Sequence, residues 1–396
     1  MKLLLTAVPL FIGLFSIAQS FLPQNSGVTT QLNALDFSTP STGIVVGNTG
    51  VIRKTVDSGL NWIASNSGTQ VDLSGVAFVS GSTYIAVGKS GTIIKTTNSG
   101  TSWSLVNSGT SNDLTGIFVN GLNLYITGTN GTILISTNSG NAWTLTNTGI
   151  SFKLNKIYFV SEYTGYAVGD GGTILKTVNG GQVWNFQTSG TNTHSLTDIY
   201  FTDGNTGIIT GGISASNESI ILRTTNAGSI WTSDDFTGTF LNALDFFPDH
   251  SVGYSVGGSV SGNTSVILKT TNQGSSWLPV SSAFPRLLGV CFPGNGIGYT
   301  CGLNGTILRL ASNTAGVEDV EDHADIQISP NPGNGIFMLS SALNEEFSME
   351  VFSADGTQVA DIHDSNTIDL SHSPSGIYYV FIRSEVSTFM RKLVKE

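Results

Sequence analysis

The sequence predicts an all-β protein: a seven-bladed β-propeller, closed by an N-terminal strand, followed by a small β-sandwich domain. All six tryptophans occupy one slot of a repeated skeleton, in which Thr or Ser is followed by Asp or Asn after two residues, Gly after four and Trp after seven. Successive tryptophans lie 41, 40, 41, 47 and 46 residues apart, a period typical of propeller blades. The 396 residues include 48 glycines and only 11% charged residues, as expected for a turn-rich β protein.

The repeated skeleton predicts a β-hairpin turn in each unit. The Asp or Asn side chain can accept backbone hydrogen bonds within a tight turn, and Gly can adopt a positive φ there. Trp then begins the next strand with a large apolar surface that has to be buried. We therefore interpret the motif as structural. Its residues are Asp57, Gly59, Trp62; Asn98, Gly100, Trp103; Asn138, Gly140, Trp143; Asn179, Gly181, Trp184; Asn226, Gly228, Trp231; and Asn272, Gly274, Trp277.

A column of leucines predicts the first strand of each unit, and it has one more member than the tryptophan column. Phe21 precedes Leu32 by the eleven residues that separate Trp103 from Leu114. We therefore expect the residues from Phe21 onward to form the outer strand of blade seven, with Phe21 in place of Trp, which pairs an otherwise open strand edge. The leucines are Leu32, Leu73, Leu114, Leu154, Leu196, Leu241 and Leu287.

The two ends of the chain differ from the repeats in composition. Residues 1–20 resemble a secretory signal peptide, with Lys2 before the apolar run Leu3–Ile17 and cleavage after Ala18 or Ser20; a short membrane anchor is the alternative. No other stretch approaches transmembrane length, so the mature chain is expected to have no such segment. Residues 21–312 form the predicted propeller, 313–325 an acidic linker and 326–396 a separate small β domain.

Charge and ligand chemistry exclude several kinds of function. Residues 21–316 carry 11 basic and 13 acidic side chains, and residues 317–396 carry 4 and 14. Because nucleic-acid affinity comes mainly from neutralising phosphates, no nucleic-acid partner is expected. No Cys/His ligand spacing is present, so neither a metal site nor a cofactor is predicted.

Catalytic side chains are scarce in the predicted propeller. Glu162 and Glu218 are its only glutamates, and His194 and His250 its only histidines. No nucleophile with a base stands out, so no catalytic residue is assigned. We predict a binding or interaction module for an unknown protein or glycan. The alternatives are a carbohydrate-active enzyme that uses face-loop carboxylates and an assembly factor for a membrane-protein client.

The loops at one face of the ring are where such binding would occur. The segments before each first strand and the turns between second and third strands are expected to share that face, and blades 5 and 6 carry insertions there, roughly at 212–218 and 258–264. A basic column after the third strands is either a cationic ring or a set of solvated strand-end charges. The candidate ligand-binding residues on the face are Lys89, Asn130, Lys153, Asp170, His194, Phe240, Arg286 and Asn304.

The two cysteines lie on the first two strands of blade seven. Cys291 and Cys301 are symmetric about Gly296, so directly opposite positions would suit a cross-strand disulfide in an exported protein. Two small buried hydrophobic residues are the alternative.

Two resemblances follow from these motifs. The hairpin motif resembles the Asp-box, or bacterial neuraminidase repeat, and whole repeats over residues 21–312 resemble the photosystem II stability/assembly factor family of propellers. The resemblance implies the fold. It does not imply the activity of either family. The arginines do not form a sialidase-like triad, because Arg53, Arg223 and Arg309 recur at or beside one structural position.

Residues 326–396 resemble the type A C-terminal sorting domain of the type IX secretion system. This resemblance implies Sec export, passage through the outer membrane by the type IX machinery, and release or attachment at the cell surface. The matching residues include Pro330, Asn331, Pro332, Gly335, Gly356, Gly376, Tyr378 and Lys392.

Overall fold

The computed structural model describes residues 21–237, 239–260, 264–280, 284–310, 326–341, 347–353, 358–363, 365–384 and 388–396. The expected signal peptide and acidic linker lie outside these residues. The chain divides into two compact units between residues 313 and 314. Within the described residues the structure is β-strand and turn, with two single-turn 3-10 helices, Asn48–Gly50 and Leu303–Gly305. No helix in this part of the chain is long and apolar enough to cross a membrane.

The described residues of the first unit form seven four-stranded antiparallel sheets. Its first strand is β1 (Phe21–Gln24). Sheet 1 contains β2 (Leu32–Thr39), β3 (Thr42–Gly47), β4 (Val51–Thr55) and β5 (Ile63–Asn66). Sheet 2 contains β6 (Leu73–Ser80), β7 (Thr83–Gly88), β8 (Ile93–Thr96) and β9 (Ser104–Val106). Sheet 3 contains β10 (Leu114–Asn120), β11 (Asn123–Gly128), β12 (Ile133–Ser136) and β13 (Thr144–Thr146).

The remaining sheets of this unit repeat the pattern. Sheet 4 contains β14 (Leu154–Phe159), β15 (Gly165–Gly169), β16 (Ile174–Thr177) and β17 (Asn185–Gln187). Sheet 5 contains β18 (Ser195–Phe201), β19 (Gly207–Ile213), β20 (Glu218–Thr224) and β21 (Thr232–Thr237). Sheet 6 contains β22 (Phe240–Phe246), β23 (Gly253–Gly258), β24 (Ser265–Thr270) and β25 (Leu278–Val280). Sheet 7 contains β26 (Leu287–Gly294), β27 (Ile297–Gly302), β28 (Ile307–Leu310) and β1.

The first strands of the seven sheets contact one another in cyclic order, from β2 through β6, β10, β14, β18, β22 and β26 back to β2. The fold is therefore all-β and propeller-like. The expected closure by the N-terminal strand is confirmed, because β1 pairs with β28 with Phe21 opposite Leu310. Phe21 is buried and meets Tyr254 of sheet 6 edge-on, with the ring centroids 5.6 Å apart.

Aromatic side chains fill the space between successive sheets. Phe159 on the first strand of sheet 4 stacks on Tyr125 of sheet 3, with ring centroids 3.9 Å apart. Trp184, from the hairpin motif of sheet 4, meets the same phenylalanine edge-on at 6.1 Å. The arrangement recurs where Phe201 lies between Tyr166 and Trp231. The tryptophans thus pack the interfaces between sheets, and most are nearly buried.

Small residues make room for these phenylalanines. A Cβ atom at Gly165 would lie 2.7 Å from the Phe159 ring, and one at Gly207 would lie 2.6 Å from the Phe201 ring. Gly43, Gly253 and Gly298 have the same relation to the phenylalanines of their own sheets. Glycine is therefore required at this position by the packing of a neighbouring ring, although its φ is ordinary.

The hairpin motif forms the turn that its residue types predict. In sheet 2 the Thr96 hydroxyl accepts a hydrogen bond from Gly100 N at 3.0 Å, and Asn98 Oδ1 accepts one from Ser102 N at 2.9 Å. The basic column joins the motif turn of one sheet to the preceding sheet. Lys95 Nζ, in sheet 2, donates a hydrogen bond to the carbonyl of Ser139, in the motif turn of sheet 3, at 2.7 Å. Lys176 and Arg223 bind the equivalent carbonyls of Ala227 and Gln273. These cations connect neighbouring sheets, and the cationic ring considered above is not needed to explain them.

The disulfide considered for Cys291 and Cys301 is wrong in this structure. Both thiols are free, because Cys291 pairs with Tyr299 and Cys301 pairs with Gly289. Gly294 pairs with Ile297 at the turn, and an irregularity between Cys291 and Gly294 shifts the register of the two strands. Cys301 is buried. The Cys291 Sγ atom lies 3.8 Å from Asp36 Oδ1.

The described residues of the second unit form two sheets. The first consists of β29 (Ile326–Ser329), β30 (Ile336–Ser341) and β33 (Thr367–Asp369). The second consists of β32 (Gln358–His363), β31 (Phe347–Ser353), β34 (Gly376–Ser384) and β35 (Thr388–Lys395) in this spatial order. One apolar core takes Phe337 and Ile368 from the first sheet and Met349, Val380 and Leu393 from the second.

Candidate functional site: the central cavity and its upper face

The turns between second and third strands share one face with the segments that precede the first strands. Lys89 N donates to Asp72 O at 3.0 Å, and Asp170 N donates to Lys153 O at 2.9 Å. Leu303 N and Arg286 O repeat the contact in sheet 7. We call this the upper face. The hairpin motifs lie at the lower face, where Ser99 N donates to Ser82 O in the turn between the first two strands.

The first strands enclose a cavity of about 150 Å³ that opens between them. Most of its lining residues are small, amide-bearing or hydroxyl-bearing, and the charged ones are Lys156 and Asp198. The lining residues are Asn33, Ala34, Leu35, Ser74, Gly75, Val76, Thr115, Gly116, Ile117, Asn155, Lys156, Thr197, Asp198, Asn242, Ala243, Leu288, Gly289 and Val290. We call this space the central cavity.

The residue after the leading leucine of a first strand bonds to the next first strand. Asn33 Nδ2 donates to Leu73 O at 2.7 Å, and Asn242 Nδ2 donates to Leu287 O at 2.8 Å. Asn155, Thr115 and Thr197 make the same contact with the leading leucines of their neighbours. These side chains hold the innermost strands together near the upper face, so their primary task is structural.

Three aspartates join the innermost strands deeper in the ring. Asp245 accepts hydrogen bonds from Phe246 N and from Phe292 N of sheet 7, both at 2.8 Å. Asp36 and Asp198 likewise accept one amide from their own strand and one from the next first strand. Each carboxylate oxygen thus has a backbone donor. Burial raises the pKa values of Asp36 and Asp198 above the usual value of an aspartate. Burial also raises the pKa of Asp245, to about 7.

Lys156 is the cation of the central cavity. Its Nζ lies 3.5 Å from Asp198 Oδ1, and its side chain is 40% exposed while that of Asp198 is 5% exposed. The nearby Asp198 carboxylate is the main cause of the raised pKa of Lys156. Although Lys156 is close, burial still raises the pKa of Asp198, because the carboxylate is almost fully removed from water.

The predicted face residues separate into two groups. The residues of the first group take part in the structure of turns. Asn130 and Asn304 have φ values of 54° and 55° at the tip of their turns. Asn130 Nδ2 also donates a hydrogen bond to Asn112 Oδ1. Lys89 pairs with Asp72 at 2.7 Å. The side chains of Asn130 and Lys89 are therefore used within the fold, whereas Asn304 contributes its backbone conformation and its side chain is exposed.

The remaining predicted residues are spread over the upper face, apart from Phe240 and Arg286, which stack on each other, and Lys153 and Asp170, whose backbones share a hydrogen bond. Asp170 accepts hydrogen bonds from Ser195 Oγ and Asn155 Nδ2. His194 Nδ1 lies 2.7 Å from Thr191 Oγ1, whereas Lys153 is exposed. The structure does not gather them into one constellation.

Sheets 5 and 6 make the upper face asymmetric. Their hairpins between second and third strands are longer than those of the other sheets, at the expected insertions, of which residues 261–263 lie outside the described residues. The two hairpins touch, because Asn217 Oδ1 accepts a hydrogen bond from Val260 N at 2.8 Å. Beside them, Arg286 stacks over Phe240 with Cζ 5.0 Å from the ring centroid, and its Nη2 donates to Asn242 Oδ1 at 2.6 Å. We call these hairpins and the Phe240–Arg286 pair the ridge.

Neither the bonds between the innermost strands nor the Lys156–Asp198 pair was predicted from the sequence. A usable signal existed for the bonds, since the residue after the leading leucine is Asn, Ser or Thr in six of the seven units, with Leu288 as the exception. No repeat pattern marks Lys156 or Asp198. Among the described residues, no group of three or more His, Cys, Asp or Glu side chains is placed to hold a metal ion.

The second unit joins its proline-containing turn to its last strand. Asn331 Oδ1 accepts a hydrogen bond from Val394 N at 2.9 Å, and Gly333 N donates to Val394 O at 3.0 Å. Lys395 Nζ donates to the carbonyls of Leu370 and Ser371 at 2.9 and 3.0 Å, and to that of Ser373. Gly356 lies outside the described residues. The sorting motifs from opposite ends of the domain are thus adjacent in space.

Two family models match the chain. The model described as "Photosynthesis system II assembly factor YCF48" matches residues 19–117 and 141–238. The model described as "Secretion system C-terminal sorting domain" matches residues 327–396. No curated protein matches the chain in sequence.

Solved structures with similar folds cover about three quarters of this chain. One described as YCF48 bound to D1 peptide is 16% identical, with a TM-score of 0.60 over 75% of this chain and 97% of that one. YCF48 from Cyanidioschyzon merolae is 18% identical, with a TM-score of 0.57 over 74% and 98%. A catalytically inactive virginiamycin B lyase from Staphylococcus aureus with Quinupristin is 13% identical, with a TM-score of 0.58 over 74% and 98%. At these identities the likeness concerns the fold alone.

Proposed function

We propose that this chain, which carries a YCF48-like domain and a secretion system C-terminal sorting domain, is an exported propeller that binds a partner at the upper face. The seven sheets are the blades of one closed ring, and the second unit is a β-sandwich that serves as the sorting signal for type IX secretion. The mature protein is then released or held at the cell surface.

The observation that carries the binding role is how the polar groups of the central cavity and of the innermost strands around it are used. The Asp36, Asp198 and Asp245 carboxylates each accept two backbone amides. The lining nearer the upper face consists mainly of amides, hydroxyls and small residues, with Leu288 as an exception. An acid or base needs access to substrate and freedom to exchange a proton. These groups are engaged in joining strands, which favours a binding module over a carbohydrate-active enzyme.

The ridge supports a polypeptide partner. It rises on one side of the upper face, where the half-buried Arg286 covers the buried Phe240 ring and the hairpins expose polar residues such as Ser214. Arginine beside adaptable polar loops is common in protein interfaces. A propeller of this fold has been solved with a bound peptide. The assembly-factor alternative is a special case of this proposal, with an outer-membrane client as the partner.

Site-specific photocrosslinking tests the binding role. A photoreactive phenylalanine at Ser214, on the ridge, is compared with one at Asn141, which is exposed in the turn of the lower face. Cells that export each variant are irradiated, and adducts of the mature chain are identified by mass spectrometry. A discrete adduct from position 214 that is absent from position 141 supports the proposal. Equal labelling from both positions, or no adduct from either, contradicts it.

Turnover assays and export assays complete the test. Purified mature protein is incubated with oligosaccharides, and release of new reducing ends or unsaturated products would contradict the non-catalytic role. A chain that stops at residue 316 is expected to remain in the periplasm, whereas the full chain appears outside the cell. Normal appearance of the shortened chain outside the cell would contradict the role of residues 326–396.

A further inference from the structure

Sheet 4 carries an open cleft on the outer part of the upper face, away from the central cavity. The cleft has a volume of about 460 Å³. Phe152, from the segment before the first strand, and Phe186, from the outermost strand β17, both line it. Their side chains are 51% and 62% exposed, although phenylalanine is usually buried. Two exposed aromatic rings therefore border one cleft.

The floor of the cleft is shaped by glycines. Gly171 has a φ of 63°, and a Cβ atom there would lie 3.1 Å from the Phe152 ring. The ring therefore rests directly on the backbone of the turn. Gly190 has a φ of 84°, and a Cβ atom there would meet no atom within 4 Å, so this side of the cleft is open.

The remaining lining is polar and uncharged. It consists of Thr173, Gln187, Thr188, Ser189, Thr191 and Asn192 together with the glycines. Within the described part of the chain, Thr188 and Asn192 are exposed and make no side-chain hydrogen bond, so their hydroxyl and amide groups remain available. The cleft thus offers aromatic surface, hydroxyls and amides, and no ionised group.

We propose that this cleft binds a neutral glycan. The C–H groups on one face of a pyranose ring are weakly positive and pack well on the negative face of an aromatic ring. Sugar hydroxyls donate and accept hydrogen bonds with threonine hydroxyls and asparagine amides at the edge of the stack. An anionic polysaccharide would require cations in the lining, and a volume of about 460 Å³ lies within the range of small-ligand sites.

Sheet 3 provides a natural comparison. Its equivalents of Phe152 and Gly171 are Asn112 and Asn130, which bond to each other at 3.1 Å. Its equivalent of Phe186 is Leu145, which is 55% exposed. The repeat thus accommodates an exposed apolar residue on the outer strand in both sheets. The aromatic residue over a glycine turn distinguishes sheet 4, and this pair is what the glycan site requires.

Affinity electrophoresis of the full mature chain tests the proposal, which rests on the proposed binding role. Native gels contain laminarin, xylan or galactomannan as neutral polysaccharides, and alginate as the anionic comparison. We expect at least one neutral polysaccharide to retard the wild type, and at least tenfold weaker binding in both Phe152→Ala and Phe186→Ala. Leu145→Ala is the matched control and should bind as the wild type does.

Three results would overturn the glycan site. They are no retardation in any neutral gel, retardation in alginate alone, and neutral binding that persists in both phenylalanine variants. Because both rings are exposed, their replacement should leave the melting temperature nearly unchanged, and this measurement excludes a folding defect. Crosslinking from position 214 on the ridge is scored separately, so the glycan site can fail while the proposed partner binding stands.

Discussion

Asp245 Oδ2 accepts a hydrogen bond from the backbone amide of Phe292 at 2.8 Å, joining the innermost strands of sheets 6 and 7. The carboxylate also accepts the amide of Phe246 on its own strand. Because burial outweighs these bonds, the pKa of Asp245 rises from 3.8 to about 7. The folded protein therefore keeps a proton that the unfolded chain releases near pH 4.

This difference predicts that the free energy of unfolding falls as the pH rises from about 4 to 7. The raised pKa corresponds to at most roughly 4 kcal/mol across that window, and the slope should flatten above pH 7. Denaturant unfolding at pH 5 and pH 7.5 measures it. Asp245→Asn, which cannot ionise, should be less stable at pH 5 and should show a smaller slope. An unchanged slope would show that other groups cause the dependence.

Gly165→Ala should destabilise the propeller unit, because the new methyl group would meet the Phe159 ring at 2.7 Å. That ring is already held between Tyr125 and Trp184, so it has little room to move. We expect a loss of about 1–3 kcal/mol, measured by chemical denaturation. Gly204→Ala is the control, since its methyl group would meet no atom within 4 Å; equal losses in both variants would contradict the packing argument.

Phe21→Ala should weaken the closure of the ring. Phe21 is 6% exposed and packs against Tyr254, so its truncation leaves a cavity between sheets 6 and 7. A loss of about 3–5 kcal/mol is expected and can be measured by thermal or denaturant unfolding. The neighbouring Leu22 is 52% exposed, and Leu22→Ala should change stability by less than about 0.5 kcal/mol. A wild-type midpoint for Phe21→Ala would mean that β1 does not close the ring in solution.

Lys95→Met should lower stability without affecting ligand binding. The ammonium group donates to Ser139 O and to Asn141 Oδ1, both at 2.7 Å, and methionine retains much of the apolar stem. The loss of these bonds should cost about 1–2 kcal/mol. Lys153→Met is the control for stability, since Lys153 is exposed. If Lys95→Met instead weakened anion binding at constant stability, the cationic ring would have to be reconsidered.

Much of the first unit follows from the repeats. A skeleton that recurs six times specifies the hairpin turn, and its spacing specifies the size of the unit. The absence of a seventh tryptophan pointed to Phe21, and the observed pairing of Phe21 with Leu310 agrees. These features are local, or they repeat, so a linear pattern is sufficient to reveal them.

Non-repeating features depended on register and on contacts between sheets. The cysteines looked opposite in the sequence, but a turn and a bulge place Cys291 against Tyr299. Lys156 and Asp198 come together from different sheets and belong to no repeated column. The candidate face residues proved mostly to be turn formers or to lie apart, because position on a common face does not bring side chains into contact.

The sequence by itself thus determined the repeat unit, the closing strand and the family of the C-terminal sorting domain, because each depends on local turn chemistry or on an ordered series of motifs. Only the tertiary structure decided which polar groups remain available and which hold strands together. It also brought Phe152 to the same cleft as Phe186. That difference has a physical cause: the strands of a blade are adjacent in sequence, whereas contacts across the ring and between its outer segments exist only once the blades have packed.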